Sequence, residues 1–304
     1  MDSLWTDAVE TLLERGDIRE SRVGKVKEIG PFITSLSNIS QSFLLNKRRK
    51  LSPSYAAAET IWYLSSRDDV KMISAYAPQY VNYCNDGIAH GAYGRRIASN
   101  THENQFALLI KHLSQEPNSR QAVITLWNAD DLWHTVNDKK KDLPCTLSMQ
   151  FLIRDNALHM ITTMRSNDVW LGLPYDIFAF TCFQRLIASA LKIQPGTYTH
   201  QVGSMHLYER NWKAAKDAVQ EVHYPNHYRR LEHEWGMSIS TSWQDDICDT
   251  IQAEEQIRKH DDVIRFPLSP MLLDLVACCS TKWNQNLLPV SPMLREGLNN
   301  AKAK

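Results

Sequence analysis

The chain lacks a charge bias, a metal-binding cysteine pattern and any long apolar run, and each absence argues against a class of protein. Thirty-four basic side chains balance thirty-four acidic ones among 304 residues. No global field therefore draws the molecule to nucleic acid or to an anionic membrane, and any phosphate must be held by local arginines. The six cysteines, Cys84, Cys145, Cys182, Cys248, Cys278 and Cys279, form no CxxC pair and no His/Cys metal spacing. Neither a zinc site nor a disulfide framework is expected, and reduced thiols fit. Nothing reaches eighteen uninterrupted apolar residues, and the acidic opening MDSLWTDAVETLLERGDIRE lacks the basic start and apolar run of a signal peptide. A cytoplasmic protein is expected.

What is present is an ordinary globular composition, 43% hydrophobic and 22% charged, enough apolar material for one large core. Helical spacing predicts helices over 4–15, 54–66 and 102–117, the last stopped by Pro117. The β-rich RQAVITLWN (120–128) predicts a strand, and residues 145–166 predict two more joined by a turn at Asp155 and Asn156. A long apolar helix follows over 177–193, then a strand over 197–208. From 212 the text turns polar and mostly helical, with FPLSPMLLDLVACC its one strongly apolar segment. No repeat or low-complexity linker divides the chain, so residues 1–211 and the diverged, mostly helical 212–304 are expected to pack as one domain.

LPCTLSMQF (143–151) places Cys145 behind a proline at a strand entrance. An isolated cysteine there is more often a small buried apolar side chain than a nucleophile. With MRSNDVWLGLPYDIFAF and GSMHLYERN, however, the stretch resembles the thymidylate synthase family, in the right order over residues 118–211. Weaker echoes lie in SRVG at Arg22, ETIWYL at Glu59 and GAYG at Tyr93. The resemblance implies an α+β fold, a large mixed sheet flanked by helices with a helical C-terminal extension. It also implies 5,10-methylenetetrahydrofolate as cofactor and a pyrimidine nucleoside monophosphate as substrate. A pyrimidine C5 becomes nucleophilic only after a thiolate adds at C6, which is the role the resemblance gives Cys145. Arg165 is the cation expected to favour its thiolate.

By the same resemblance Arg22, Arg165 and Ser166 hold the phosphate with guanidinium forks, and Arg120 reaches across from the partner of a homodimer. The family carries a second arginine after that position, and here it is Gln121. His206 and Tyr208, two apart on a strand and so on one face, are matched to the sugar 3'-hydroxyl. Glu59 is matched to ordering water and relaying protons, Tyr93 to the C5 proton, and Asp168 to the folate pterin. Each has a plain structural alternative: a surface charge for an arginine, a cap or surface carboxylate for Glu59, a cap or turn for Asp168, a strand-end residue for His206 or Tyr208, and a turn aromatic for Tyr93.

Asp176 departs from the family's synthases, which carry asparagine there. An amide can donate to uracil O4 and accept from N3–H, whereas cytosine offers an N4 donor and a bare N3 acceptor, a pattern a carboxyl group can meet by sharing a proton. The alternative is a cap on a helix starting at Ile177. Asp176 therefore predicts dCMP as substrate. Tyrosines in QYVNYCNDG in place of tryptophans and a polar C-terminal end predict hydroxymethyl transfer, with water rather than hydride completing the reaction. CMP 5-hydroxymethylation, methyl or hydroxymethyl transfer to dUMP, and a non-catalytic nucleotide- or RNA-binding family member remain the competing readings.

Overall fold

Two small sheets and a buried helix position the candidate site. The structure is a computed structural model describing residues 1–304 apart from 85, 100–101, 139–141, 221–241, 261–267, 284, 286, 290 and 303–304. The first helix, α1 (Asp2–Arg15), buries Trp5, Ala8, Val9 and Leu12 along one stripe. A hairpin follows, β1 (Asp17–Ser21) and β2 (Gly24–Ile29), and then β3 (Phe32–Leu36).

The predicted helix at 54–66 is α2 (Pro53–Leu64). Ser52 caps it by accepting from Tyr55 N at 3.2 Å, and proline stands at its first position, where no N–H is needed. Next come α3 (Lys71–Tyr76), α4 (Tyr93–Ser99) and α5 (Gln105–Gln115), the last capped by Asn104. Strand β4 (Val123–Thr125) is shorter than the nine residues expected, because α6 (Ala129–Asn137) begins directly after Asn128 with a capping box to Asp131.

The hairpin expected at 145–166 is present as β5 (Thr146–Arg154) and β6 (Ala157–Met164). Asp155 and Asn156 have φ of 49° and 57°, the double left-handed turn that matches strand twist. The pair β7 (Asn167–Asp168) leads into α7 (Gly172–Ala190), which starts five residues earlier than expected. Asp176 is thus inside the helix, and the cap reading for it is corrected. The strand predicted over 197–208 is two strands, β8 (Gln194–Val202) and β9 (Met205–Tyr208). Beyond them lie α8 (Trp212–Val219), α9 (Trp243–Lys259), α10 (Pro270–Ser280) and α11 (Pro292–Lys302). Phe266 and Pro267 of the apolar segment fall outside the described residues.

The strands form a five-stranded sheet, β3-β8-β6-β5-β4, and a four-stranded sheet, β1-β2-β9-β7. Parallel pairs β6–β8 and β7–β9 make both sheets mixed. Helix α7 runs between β6 and β8 in sequence and buries Ile177, Phe178, Phe180, Phe183 and Ile187 completely. A helix apolar on all sides belongs inside, and α7 contacts β6, β8 and α2. No described helix is long and apolar enough to cross a membrane.

Candidate active site

Cys145 sits one residue before β5, half-buried. Its loop is gripped by Arg165 from the end of β6. Nε of Arg165 donates to Pro144 O at 3.0 Å and Nη2 to Leu143 O at 3.1 Å, while its own N–H donates to Cys145 O at 2.8 Å. The guanidinium also lies 5.7 Å from the Trp127 ring centroid. The expected cation is thus beside the thiol, but burial raises the Cys145 pKa. Arg165 and Arg22 oppose that rise, while Asp176 and Asp142 add to it.

Arg22 reaches the cluster from the turn between β1 and β2, because β2 pairs with β9 and β9 with β7. His206 and Tyr208 share a face of β9 with ring centroids 5.1 Å apart, and Ser166 Oγ lies 3.4 Å from His206 Nδ1. Asp168 Oδ1 accepts from Trp170 N at 2.8 Å and Leu171 N at 3.2 Å, so the turn role is real. Burial raises its pKa, and His206 pulls the other way.

Glu59 and Asp176 face the site from α2 and α7, both buried. Burial pushes Glu59 up to about 7, against the Tyr55 hydroxyl that donates to Oε1 at 2.6 Å. Burial, reinforced by the charge of Glu59, pushes Asp176 up to about 8, against a bond from Asn167. Burial thus favours the neutral acid of Asp176 near pH 7. Tyr93 lies near Asp176, Cys145 and the Thr146 hydroxyl, and its ring is 4.9 Å from that of Tyr63. Gly94 makes that approach possible, since a Cβ there would stand 2.0 Å from Tyr63 O.

Arg120 is the outlier. It is exposed beside the edge strand β4, its carbonyl accepts from Gln150 Nε2 at 3.0 Å, and it is not among the charges acting on Cys145 in this chain.

Three neighbours of the site escape a reading of the sequence, Tyr63, Asn167 and Asp142, and a fourth, Tyr80, is one of the tyrosines of QYVNYCNDG. Tyr80 lies near Glu59, Asp142, Asp176 and Cys145, and Tyr63 near Glu59 and Asp176. Asn167 Nδ2 donates to Asp176 Oδ2 at 2.6 Å. Asp142 Oδ2 accepts from Gly91 N at 3.1 Å, tying the turn before Tyr93 to the Cys145 loop. Tyr55 and Glu59, four apart on a helix, were a legible pair. Glu59 and Tyr63 share the same helical spacing on α2; the remaining pairs meet across elements and leave no spacing signal. Asp142 carries a direct expectation: Asp142→Asn keeps an acceptor for Gly91 but removes a charge that disfavours the thiolate. The pH midpoint for alkylation of Cys145 by iodoacetamide should move down, and a midpoint that stays or rises would contradict the arrangement.

A thiol, two raised-pKa carboxyls and two arginines at the junction of the two sheets define a site for covalent work on an anionic substrate. The thymidylate synthase family model matches residues 3–251, and the chain belongs to that family. It is 28% identical over 236 residues to a deoxyuridylate hydroxymethyltransferase of Bacillus phage SP01, covering 73% of this chain and 61% of that protein. It is 30% identical over 207 residues to a deoxyuridylate hydroxymethyltransferase of Pseudomonas phage M6, covering 67% and 58%. The chain spans about three fifths of the length of these curated relatives.

Proposed function

We propose that the chain hydroxymethylates C5 of dCMP, with Cys145 adding to C6 of the base. The observation that supports the cytosine assignment is Asp176, a buried neutral carboxyl group in electrostatic contact with the thiol. It can donate its proton to N3 as negative charge develops on the ring, which lowers the barrier to thiolate addition. Arg22, Arg165 and Ser166 take the phosphate, and His206 and Tyr208 the sugar. Glu59, poised near 7 beside the Tyr55 hydroxyl, can order a water and move its protons. Burial keeps the Tyr93 hydroxyl protonated, so Tyr93 takes the C5 proton only as it passes its own to an ordered water. Tyr80 turns a hydroxyl toward the same charges, and a polar wall admits the water that hydroxymethyl transfer needs.

The donor of the family is 5,10-methylenetetrahydrofolate, which supplies a one-carbon unit at the oxidation level of formaldehyde. The residues fit such a group. Asp168 offers an acceptor beside Trp170, and Arg49, 5.0 Å from the Trp170 ring centroid, donates from Nε to Trp170 O at 2.8 Å. Asp168 would hold the pterin's N–H groups there.

A homodimer completes the phosphate site. The five-stranded sheet buries one face on α7 but leaves the other partly open, with Ile33 62% and Val123 43% exposed. Arg120 stands at the rim of that open face, where it can enter a partner's site. Coexpressing Cys145→Ala and Arg120→Ala chains should restore activity in about a quarter of the sites, those built from two intact halves. No recovery would end the shared-site reading. In the same reading, residues 212–304 cover the core as part of one domain.

A second reading, hydroxymethyl transfer to dUMP, draws on the names of the two phage relatives, and a protonated carboxyl can also meet uracil. Competition among dCMP, dUMP and CMP with methylenetetrahydrofolate decides between them. Tritium release from C5 of dCMP without dihydrofolate absorbance supports the proposal. Release from dUMP alone moves the assignment to uracil, and dihydrofolate formation moves it to methyl transfer.

A further inference from the structure

Among the described residues the carboxyl group of Asp176 is held by a hydrogen bond from Asn167. Asn167 is 3% exposed on β7 and donates from Nδ2 to Asp176 Oδ2 at 2.6 Å; the amide also lies 3.3 Å from Met164 Sδ. The Asn167 Oδ1 atom is buried with no hydrogen-bond partner among the described residues. Nothing among the described residues at the other end of the amide therefore competes with Asp176 for its orientation, and the reverse orientation would turn Oδ1 onto Met164 Sδ, one acceptor against another. Gly172 makes the pairing possible: a Cβ there would stand 3.0 Å from Asn167 Nδ2 and 3.3 Å from Asp176 Oδ2.

We propose that Asn167 is a positioning residue that fixes which oxygen of Asp176 bears the proton, and thereby which pyrimidine the site accepts. This rests on the functional reading above. The carbonyl oxygen of a neutral acid accepts an N–H better than its hydroxyl oxygen does, so the donor on Oδ2 favours the form with the carbonyl at Oδ2 and the proton on Oδ1. A carboxyl fixed in this way presents a donor from one oxygen and an acceptor from the other, in a set order. Cytosine and uracil need opposite orders: cytosine wants the donor opposite N3 and the acceptor opposite position 4, and uracil the reverse. A free carboxyl could turn over, or its proton could change oxygens, and serve either base. One held by Asn167 serves one, because the wrong base leaves two donors or two acceptors facing each other.

The charged and titratable groups around the carboxyl, among the described residues, include Glu59 from α2, Cys145 before β5, Tyr198 from β8, and the hydroxyls of Tyr63, Tyr80 and Tyr93. None of them donates to Oδ2 as Asn167 does.

The test measures dissociation constants of dCMP, dUMP and the base-free 2-deoxyribose 5-phosphate across pH. In Asn167→Leu, close in volume, the ratio between the two nucleotides should fall by about tenfold to a hundredfold toward unity, while the sugar phosphate binds as before. The upper pH limit for nucleotide binding should also move up, since the lost donor had favoured the carboxylate. Gly172→Ala displaces the pair without deleting it and should relax the ratio too. It supplies the comparison if Asn167→Leu loses sugar-phosphate binding and hence its fold. An unchanged ratio in a variant that keeps sugar-phosphate binding overturns the proposal. A wild-type preference for dUMP overturns only the cytosine assignment, since the ratio still collapses. Failure of the wild type to bind either nucleotide overturns both.

Discussion

Asp176→Asn should lower turnover of dCMP by about 10²–10⁴-fold while changing its affinity by about tenfold or less. An amide can still donate to N3 and accept from the 4-amino group, so most of the recognition survives. What it cannot do is release a proton. When Cys145 adds to C6, negative charge moves onto the ring nitrogen, and only an acid beside N3 can neutralise it in that step. The loss should therefore fall on kcat and leave KM nearly alone, the signature of an interaction made in the transition state. The pH profile separates this from a packing defect. With Asp176 near 8, wild-type turnover that uses the neutral acid declines through that region as pH rises, and the asparagine variant should lose that limb. Gain of dUMP turnover should need Asn167→Leu as well. With Asn167 in place, the new amide turns its oxygen toward the Asn167 donor and its N–H toward N3, where uracil has an N–H of its own. A single Asp176→Asn variant that turns over dUMP well would contradict the fixed orientation.

Asp176 also shows how far the sequence could be read. It was legible as a departure from a motif, and the structure buries it. Its place was not. The Gly-Leu-Pro before it reads as a loop, yet glycine and proline are tolerated in a first helical turn, so α7 starts at Gly172. The β5–β6 hairpin was plain because alternation and an Asp-Asn turn agreed. The β1–β2 hairpin was not, because its first strand is exposed along nearly its whole length and so has no apolar alternation to reveal it. Helix α6 escaped because Leu132, Trp133 and Val136 face solvent, against the rule that apolar spacing marks a buried face. Within the site, Cys145 and Arg165 are close in sequence-motif space and were readable together. Asp142 to Gly91 and Asn167 to Asp176 are contacts between elements, and a single sequence carries no trace of which partner each will meet.

Cys145→Ser should abolish turnover by on the order of 10⁴-fold or more, with dCMP still bound. The thiol is not preset as a thiolate, for burial and the carboxyls Asp176 and Asp142 outweigh Arg165 and Arg22. Substrate phosphate would share those two guanidiniums, so ionising the thiol before attack grows harder as the site fills. Addition must then be coupled to proton movement. As sulfur reaches C6, Asp176 gives its proton to N3 and takes the thiol's in exchange, so the S–H bond breaks as the S–C6 and N3–H bonds form. Sulfur can follow this course because a thiol is intrinsically far more acidic than a hydroxyl and its thiolate is intrinsically nucleophilic. A serine hydroxyl is far more weakly acidic and gains nothing from Arg165 that would close the gap. Two measurements isolate the chemical step: tritium release from C5 of dCMP in the absence of folate, and the mass of a trapped covalent adduct. Both should vanish in Cys145→Ser, while Asp142→Asn should retain both. Tritium release that persisted in Cys145→Ser would mean that C5 is activated without addition at C6, and the role assigned to Asp176 would fall with that of the thiol.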